Sequence, residues 1–119
     1  MGWTELSSIK QLLESFNNSE FRPQLYFKHS NRCGISKMAL KEFENSGVLN
    51  YSQADFFLLD LLNYREISNE IVALSGIEHQ SPQVVFIHNN KVIYSESHGT
   101  IDGEKIINIL EDLIWKNYS

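Results

Sequence analysis

Residues 55–62 (DFFLLDLL) are the feature that most limits the folds open to this chain. Their apolar side chains would point to both faces of an extended strand, so neither face of that strand can lie in water. Such a strand belongs inside a parallel sheet that helices cover on both sides. An α/β architecture follows, and 119 residues allow one hydrophobic core, so we interpret residues 1–119 as a single domain.

The remaining apolar patterns supply the helices and the other strands. Helical spacing of apolar side chains predicts helices at residues 9–16, 35–43, 66–74 and 106–114. Runs rich in strand-forming residues predict strands at residues 25–28, 84–87 and 92–94. The last two strands flank Asn89-Asn90, a dipeptide that tolerates positive φ, and we interpret them as a tight antiparallel hairpin.

The order of these elements is helix, strand, helix, strand, helix, hairpin and helix. It predicts an α/β fold with a mixed four-stranded sheet flanked by helices on both faces. This is the plan of a thioredoxin-like domain, although other small α/β folds use similar strings of elements. The order therefore favours a thioredoxin-like fold without excluding other small α/β folds.

Charge and composition exclude several classes of protein. The net charge of −5, from 10 Lys and Arg against 15 Asp and Glu, argues against a general nucleic-acid binder, which needs a broad basic surface. No stretch approaches the ~20 apolar residues of a membrane span, and the amino terminus lacks the pattern of an export signal. One cysteine forbids an intramolecular disulfide, so we predict a protein of a reducing compartment, the cytoplasm.

Cys33 lies at the predicted turn from the first strand into the second helix. Unpaired N–H groups and the positive end of the helix dipole stabilise a thiolate over a thiol at such a position. Residues 21–41 carry five basic and no acidic side chains, and Arg32 is adjacent to the thiol. This pattern favours a nucleophile. The alternative is a small buried residue without chemistry, which is common for a free cysteine.

Ser36 stands three residues after Cys33, where a dithiol reductase has its second cysteine. Once Cys33 has captured a sulfur partner, only an external thiol can release it. We expect the Ser36 hydroxyl or its backbone N–H to hydrogen-bond the thiolate. The pattern is typical of a monothiol exchange site.

Ser81-Pro82 comes just before the strand predicted at residues 84–87. In thioredoxin-like domains a cis-proline at this point faces the redox cysteine, and the residue before it pairs with the substrate chain. A trans-proline that merely starts a strand is the commoner arrangement in general. The combination with Cys33 favours the cis form here.

The four histidines do not follow a metal-binding pattern. They stand at positions 29, 79, 88 and 98, without the close spacing of zinc ligands. One cysteine cannot supply a sulfur-rich site. We therefore expect no bound metal.

Four motifs in chain order are shared with a known family. They are residues 27–36 (FKHSNRCGIS), residues 65–71 (REISNEI), residues 76–84 (GIEHQSPQV) and the pair Ser97-His98. Together they resemble the YtxJ-type monothiol bacilliredoxins, from the first strand to the last helix. The resemblance implies a thioredoxin-like fold and a function with bacillithiol, the low-molecular-weight thiol that replaces glutathione in some bacteria.

The resemblance also implies a mechanism and a set of site residues. Cys33 would attack the mixed disulfide of an S-bacillithiolated protein, release the protein thiol and hold bacillithiol until a second thiol regenerates it. Bacillithiol would be a co-substrate, and no tightly bound cofactor is implied. The supporting residues would be Arg32, Gly34 and Ser36 around the thiol, Ser81 and Pro82 for the incoming disulfide, and His29, His79 and His98 at the rim.

Two positions depart from the family pattern. Gly34 replaces the family's usual proline, as in the Cys-Gly-Phe-Ser motif of monothiol glutaredoxins that carry an iron–sulfur cluster, and Gly99-Thr100 replaces a bulkier aromatic residue. The glycine and acidic pairs with which glutaredoxins bind glutathione are missing from residues 95–102, which favours bacillithiol. The alternatives are an iron–sulfur carrier with Cys33 and an exogenous thiol as ligands, and a thioredoxin-like interaction module with an inert cysteine.

Overall fold

The computed structural model describes residues 2–118, which form a five-stranded mixed sheet between helices. The strands are β1 (Thr4–Glu5), β2 (Gln24–His29), β3 (Asp55–Asp60), β4 (Gln83–His88) and β5 (Lys91–Ser97). The helices are α1 (Ile9–Asn18), α2 (Gly34–Asn45), α3 (Arg65–Ser75) and α4 (Gly103–Tyr118). Short 3₁₀ turns follow α2 at Val48–Asn50 and β5 at His98–Thr100. None of the helices in the described part of the chain is long and apolar enough to cross a membrane.

The strand order across the sheet is β1-β3-β2-β4-β5. β1, β3 and β2 are parallel, while β4 pairs antiparallel with β2, and β5 antiparallel with β4. The hairpin predicted around Asn89-Asn90 is confirmed, with φ values of 55° and 61° at the two residues. In the register, Lys28 on β2 lies opposite Gln83 on β4. The carboxyl end of β2 therefore lies beside the segment that enters β4.

The prediction of a four-stranded sheet is wrong by one strand. β1 was missed, and it extends the sheet by pairing Thr4 with Phe57 and Glu5 with Leu58. Two residues with exposed side chains carry no periodic pattern, so only the neighbouring strand reveals such an edge strand. The strand predicted at residues 55–62 also ends earlier, at Asp60. The expected layers of helices on both faces are confirmed.

The sheet separates two apolar cores. The first contains Leu25, Phe27, Phe56, Val84 and Phe86 from the strands with Ala39, Phe43, Ile106 and Leu110 from α2 and α4. The second contains Tyr26, Phe57, Leu59, Val85 and Ile87 from the strands with Leu12, Ile67 and Ile71 from α1 and α3. β3 thus buries side chains on both faces, as its apolar pattern predicts. Full burial of one large apolar side chain contributes about 1.5–3 kcal/mol.

Trp3 ties the edge strand to α2. Its indole ring stacks on Phe43 with centroids 5.8 Å apart, and it meets Phe27 and Phe56 edge-on at 5.7 Å and 6.5 Å. Its Nε1–H donates a hydrogen bond to Glu44 Oε2 at 2.8 Å. Aromatic pairs of this kind contribute about 0.5–1.5 kcal/mol beyond their buried area. The start of the chain therefore helps to hold α2 on the sheet.

Gly103 allows the start of α4 to lie directly on the end of α2. A Cβ atom at position 103 would stand 2.0 Å from Ser46 Oγ, 2.6 Å from Ser46 Cβ and 3.3 Å from the carbonyl oxygen of Phe43. Ser46 is held in place, because its hydroxyl donates to that carbonyl oxygen at 2.6 Å and accepts the N–H of Val48 at 3.3 Å. Close packing, and not a left-handed backbone, therefore requires glycine here.

We predict that Gly103→Ala lowers the free energy of unfolding by about 1–3 kcal/mol, the usual effect of forcing an extra carbon into a packed site. Urea denaturation followed by circular dichroism measures the change. Gly99→Ala is the matched control, because a Cβ there would meet no atom within 4 Å. The control should stay within about 0.5 kcal/mol of wild type. Equal stability of the two variants would contradict the packing argument.

Candidate active site

Cys33 is the N-cap residue of α2 and follows the turn that leaves β2. Its N–H donates to Ser30 O at 3.3 Å, and its carbonyl oxygen accepts the N–H of Lys37 at 3.1 Å. The thiol is partly exposed, and it makes no capping hydrogen bond within the described part of the chain. The first N–H groups of α2 are thus left free of the side chain, at the helix end that favours negative charge. The predicted place of Cys33 at a strand-to-helix turn is confirmed.

Ser36 lies in the first turn of α2 and is fully buried. Its Oγ is 2.7 Å from His29 Nδ1 and accepts the N–H of Ser30 at 3.0 Å. The hydrogen bond that we expected from the Ser36 hydroxyl to Cys33 is not formed among the described residues. The physical reason is burial, since a hydroxyl without access to water takes the nearest buried partners.

His29 occupies the end of β2 and is only 5% exposed. Its Nε2–H donates to Asn31 Oδ1 at 2.8 Å, because an amide oxygen can only accept, and its Nδ1 bonds to Ser36. Both ring nitrogens are therefore used inside the protein, and the place of His29 at the rim of a substrate site stays a prediction. His29, Ser30, Asn31 and Ser36 form what we call the His29 brace, which shapes the turn before Cys33.

The Ser81–Pro82 peptide bond is cis, as favoured by the sequence. Pro82 is buried, and its carbonyl oxygen accepts the N–H of His98 at 2.9 Å. The His98 side chain is exposed, and its backbone has a φ of 56°. Ser81 Oγ and Gln83 Oε1 are buried without a hydrogen-bond partner among the described residues. Because β4 pairs antiparallel with β2, the segment that enters β4 and the Cys33 turn that leaves β2 lie at the same end of these two strands, which we call this edge of the sheet.

Lys28 is a further residue at this end of the sheet, and the sequence motifs alone assign it no separate role. Its side chain is fully buried in β2, on the face opposite to that of His29. Nζ donates to Ser68 O at 3.1 Å and lies 3.2 Å from His79 Nδ1, and no carboxylate of the described residues pairs with it. Burial lowers the pKa of Lys28 from 10.5 to about 8. The signal in the sequence was the strand alternation, which places Lys28 on the same face as Tyr26.

His79 covers Lys28 from the segment between α3 and β4. Its Nδ1 also lies 3.3 Å from Ser68 Oγ, while the residue as a whole is exposed. Partial burial of the ring, together with the positive charges of Lys28 and Arg65, lowers the pKa of His79. His79 stands three residues before Pro82. It therefore belongs to the edge of the sheet that carries the cis-proline.

Arg32 and Gly34 flank Cys33 at exposed positions. The Arg32 side chain forms no ion pair with a described residue. An added Cβ at Gly34 would meet no atom within 4 Å. The space above the start of α2 is therefore open.

The cis-proline segment and the turn before Cys33 fall within the part of the chain that matches a known family. The family model described as monothiol bacilliredoxin BrxC matches residues 4–106. The chain belongs to this family. The resemblance to monothiol bacilliredoxins that the sequence motifs indicated is thereby confirmed.

This bacilliredoxin is similar to solved thioredoxin structures. A candidate oxidoreductase with a thioredoxin fold aligns with a TM-score of 0.74 and 27% identity, over 87% of this chain and 89% of the other. A mutant thioredoxin from Halobacterium salinarum aligns with a TM-score of 0.70 and 13% identity, over 93% and 89%. A thioredoxin from Malassezia sympodialis aligns with a TM-score of 0.66 and 19% identity, over 94% and 91%. The bacilliredoxin thus has the thioredoxin fold, and its family and fold support a thiol oxidoreductase.

Two surface cavities of the bacilliredoxin lie away from the thiol. One of about 550 Å³ is lined by Trp3, Arg22 and Asp55 among others, and another of about 340 Å³ lies between Trp3 and His29. Cys33 lines neither of these two cavities. In the described part of the chain, no three His, Cys, Asp or Glu side chains are grouped so that they could hold a metal ion.

Ser36→Ala should lower the free energy of unfolding by about 1–3 kcal/mol, because it leaves the Ser30 N–H and a ring nitrogen of His29 buried without a partner. Urea denaturation measures the loss. Ser52→Ala, which removes an exposed hydroxyl, is the control and should stay within about 0.5 kcal/mol of wild type. A Ser36→Ala protein as stable as the control would show that the His29 brace contributes nothing.

Lys28→Met should change how stability depends on pH. The unfolded chain binds the Lys28 proton more tightly than the native protein, since the native pKa is about 8 against 10.5. Above the pH range in which His79 titrates, the free energy of unfolding of wild type, relative to the variant, should therefore be constant up to about pH 8. It should then rise towards about pH 10 by at most about 1.4 kcal/mol per pH unit. Urea denaturation across this range measures the difference.

Lys10→Met serves as the control for this pH experiment, because Lys10 is exposed on α1. Its stability difference from wild type should stay flat over the same range. Residues that titrate in the same way in all three proteins, such as the buried Tyr26, make equal contributions to the free energy of unfolding, and these contributions cancel in the differences. A flat difference for Lys28→Met as well would mean that burial does not penalise the charge of Lys28.

Proposed function

We propose that this bacilliredoxin removes bacillithiol from S-bacillithiolated proteins by disulfide exchange at Cys33. The proposal is based on the place of the single cysteine of the sequence. Cys33 is partly exposed at the start of α2, and the cis Ser81–Pro82 peptide lies at the same end of the sheet. A thiolate is the attacking species in thiol–disulfide exchange, so the attacking sulfur must be open to the substrate. Membership in the monothiol bacilliredoxin family supports the same chemistry.

The exchange proceeds in two balanced steps. The Cys33 thiolate attacks the bacillithiol sulfur of the mixed disulfide, so that a bond forms between these two sulfurs while the bond to the protein sulfur breaks. The protein leaves as a thiolate and takes a proton from water. A second thiolate then attacks the Cys33 adduct, forms a disulfide with bacillithiol and restores the Cys33 thiolate.

The second thiol must come from outside the chain. Cys33 is the single cysteine of the sequence, and Ser36 stands where a resolving cysteine would otherwise act. A low-molecular-weight thiol such as bacillithiol itself supplies the two electrons that reduce the modified protein to its thiol, and it leaves oxidised, as a disulfide with the bacillithiol taken from Cys33. This requirement suits a reducing compartment, and we place the protein in the cytoplasm on that ground.

Residues near the thiol would orient the incoming disulfide. Ser81 precedes the cis-proline, and its backbone would pair with the substrate chain. Arg32 is exposed beside the thiol and would attract an anionic thiol. Gly34 leaves the approach open. His98, whose N–H bonds to Pro82, would border the same surface.

Cys33→Ser should abolish the release of bacillithiol from a modified protein, because the chain has no other thiol. Wild type should gain the mass of one bacillithiol on Cys33, as measured by intact-protein mass spectrometry. Lys10→Met, on the exposed side of α1, should behave as wild type. Undiminished release by the Cys33→Ser protein, checked for folding by circular dichroism, would refute the proposal.

The same proteins separate the two alternatives. Gly34 in place of the family's usual proline favours an iron–sulfur carrier, in which two chains share a cluster through Cys33 and an exogenous thiol. Visible cluster absorption after anaerobic reconstitution, without disulfide exchange, would support that function. A wild-type Cys33 that forms no adduct and no cluster would instead indicate an interaction module with an inert thiol.

A further inference from the structure

Lys28, Ser68 and His79 form a second polar group at this edge of the sheet, which we call the lysine cluster. It lies on the α3 face, whereas the His29 brace lies on the α2 face. Lys28 Nζ is at its centre, with Ser68 O at 3.1 Å and His79 Nδ1 at 3.2 Å. The exchange step at Cys33 uses none of these contacts. A buried lysine without a carboxylate partner is costly, so the cluster needs an explanation of its own.

The hydrogen bonds of the lysine cluster determine where the proton of His79 lies. A lysine ammonium only donates, so His79 Nδ1 must accept from Lys28 Nζ. Ser68 Oγ, 3.3 Å from the same nitrogen, can add a second donor. A neutral imidazole with an accepting Nδ1 carries its proton on Nε2. Lys28 therefore selects one tautomer of His79.

The second ring nitrogen of His79 is the one that remains available. Nε2 is the other nitrogen of the ring, and it forms no hydrogen bond with the described residues. The residue is exposed. Gln83 Nε2 donates to Glu78 O at 2.9 Å, which fastens the residue before His79 to β4. Lys28 thus holds the ring through Nδ1, while Nε2–H has no partner among the described residues and belongs to an exposed residue.

The charges around this N–H favour an anion. Lys28 and Arg65 are both close enough to act on the His79 ring. The nearest acidic residues along the chain, Glu66, Glu70 and Glu78, form no ion pair with Lys28 or His79. A hydrogen bond from an N–H to a charged acceptor is stronger than one to a neutral acceptor. A carboxylate is therefore the group best suited to this position.

We propose that Lys28 is a positioning residue that fixes His79 as an outward Nε2–H donor, which binds a carboxylate of the small thiol exchanged at Cys33. The proposal rests on the proposed function for the statement that the ligand is a small thiol. It adds the residue that binds the acidic part of that thiol, His79. It also assigns part of the selectivity to Lys28, a residue that does not touch the ligand.

The tautomer of His79 is tested directly by nuclear magnetic resonance of protein labelled with ¹⁵N at histidine. Two-bond ¹H–¹⁵N correlations at neutral pH should show wild-type His79 with a bare Nδ1 and a protonated Nε2. Lys28→Met should add the other tautomer or the doubly protonated ring, because the donor to Nδ1 and its charge are gone. Lys10→Met should match wild type. A wild-type ring protonated on Nδ1 would overturn the proposal, whether or not the Lys28 variant folds.

The role in selectivity is tested with two probes, dithiodipropionate, which carries carboxylates, and hydroxyethyl disulfide, which is neutral. The rate of adduct formation on Cys33 is measured for each probe by intact-protein mass spectrometry. Lys28→Met should lower the ratio of the carboxylate rate to the neutral rate by about tenfold, the size of one hydrogen bond to a charged group. Lys10→Met removes the same charge elsewhere and should change the ratio by less than about twofold.

A double variant shows whether Lys28 acts through His79. His79→Phe should lower the ratio as much as Lys28→Met, and the double variant should lower it no further. Fully additive losses would overturn the positioning role. A Cys33 that reacts with neither probe would end the proposed function, while the tautomer measurement would still decide the role of Lys28.

Discussion

Burial of the central strands on both faces is the constraint on which the rest of the structure depends. Side chains alternate along a strand, so consecutive residues of β2 enter different cores. Phe27 and His29 lie towards α2, whereas Tyr26 and Lys28 lie towards α3. At the carboxyl end of β2 the side chains become polar while they remain buried, and each must find its partners inside the protein. Two polar groups result, one on each face of the sheet beneath the Cys33 turn.

The two groups differ in charge, and this difference separates their roles. The His29 brace pairs an imidazole, a hydroxyl, an amide and a backbone N–H, so its members satisfy one another. The lysine cluster buries an ammonium against a carbonyl oxygen and an imidazole, with no carboxylate among the described residues to neutralise it. The first group is complete as a structural element. The second leaves positive charge near an exposed N–H, where an anionic ligand would find a partner.

The five basic side chains of residues 21–41 are close together in the sequence, but the structure places them in different environments. Arg22 lies at the opposite edge of the sheet, where its Nε pairs with Asp55 Oδ2 at 3.2 Å, so its charge does not act near Cys33. Lys28 is buried in β2. Arg32 remains exposed beside the thiol. The electrostatic field at the exchange site therefore comes from fewer charges than the sequence implies, and each has a different environment.

Local sequence patterns determined most of the helices and strands and the position of Cys33 at a helix start. Each of these depends on residues that are close together along the chain. Only the tertiary structure decided that β1 joins the sheet, that the partner of Ser36 is His29 and not Cys33, and that Lys28 is buried. Lys28 contacts Ser68 and His79, which stand 40 and 51 positions later in the sequence. Periodicity and propensity report local conformation, whereas the burial of a charge and the tautomer of a histidine depend on what the fold places against them.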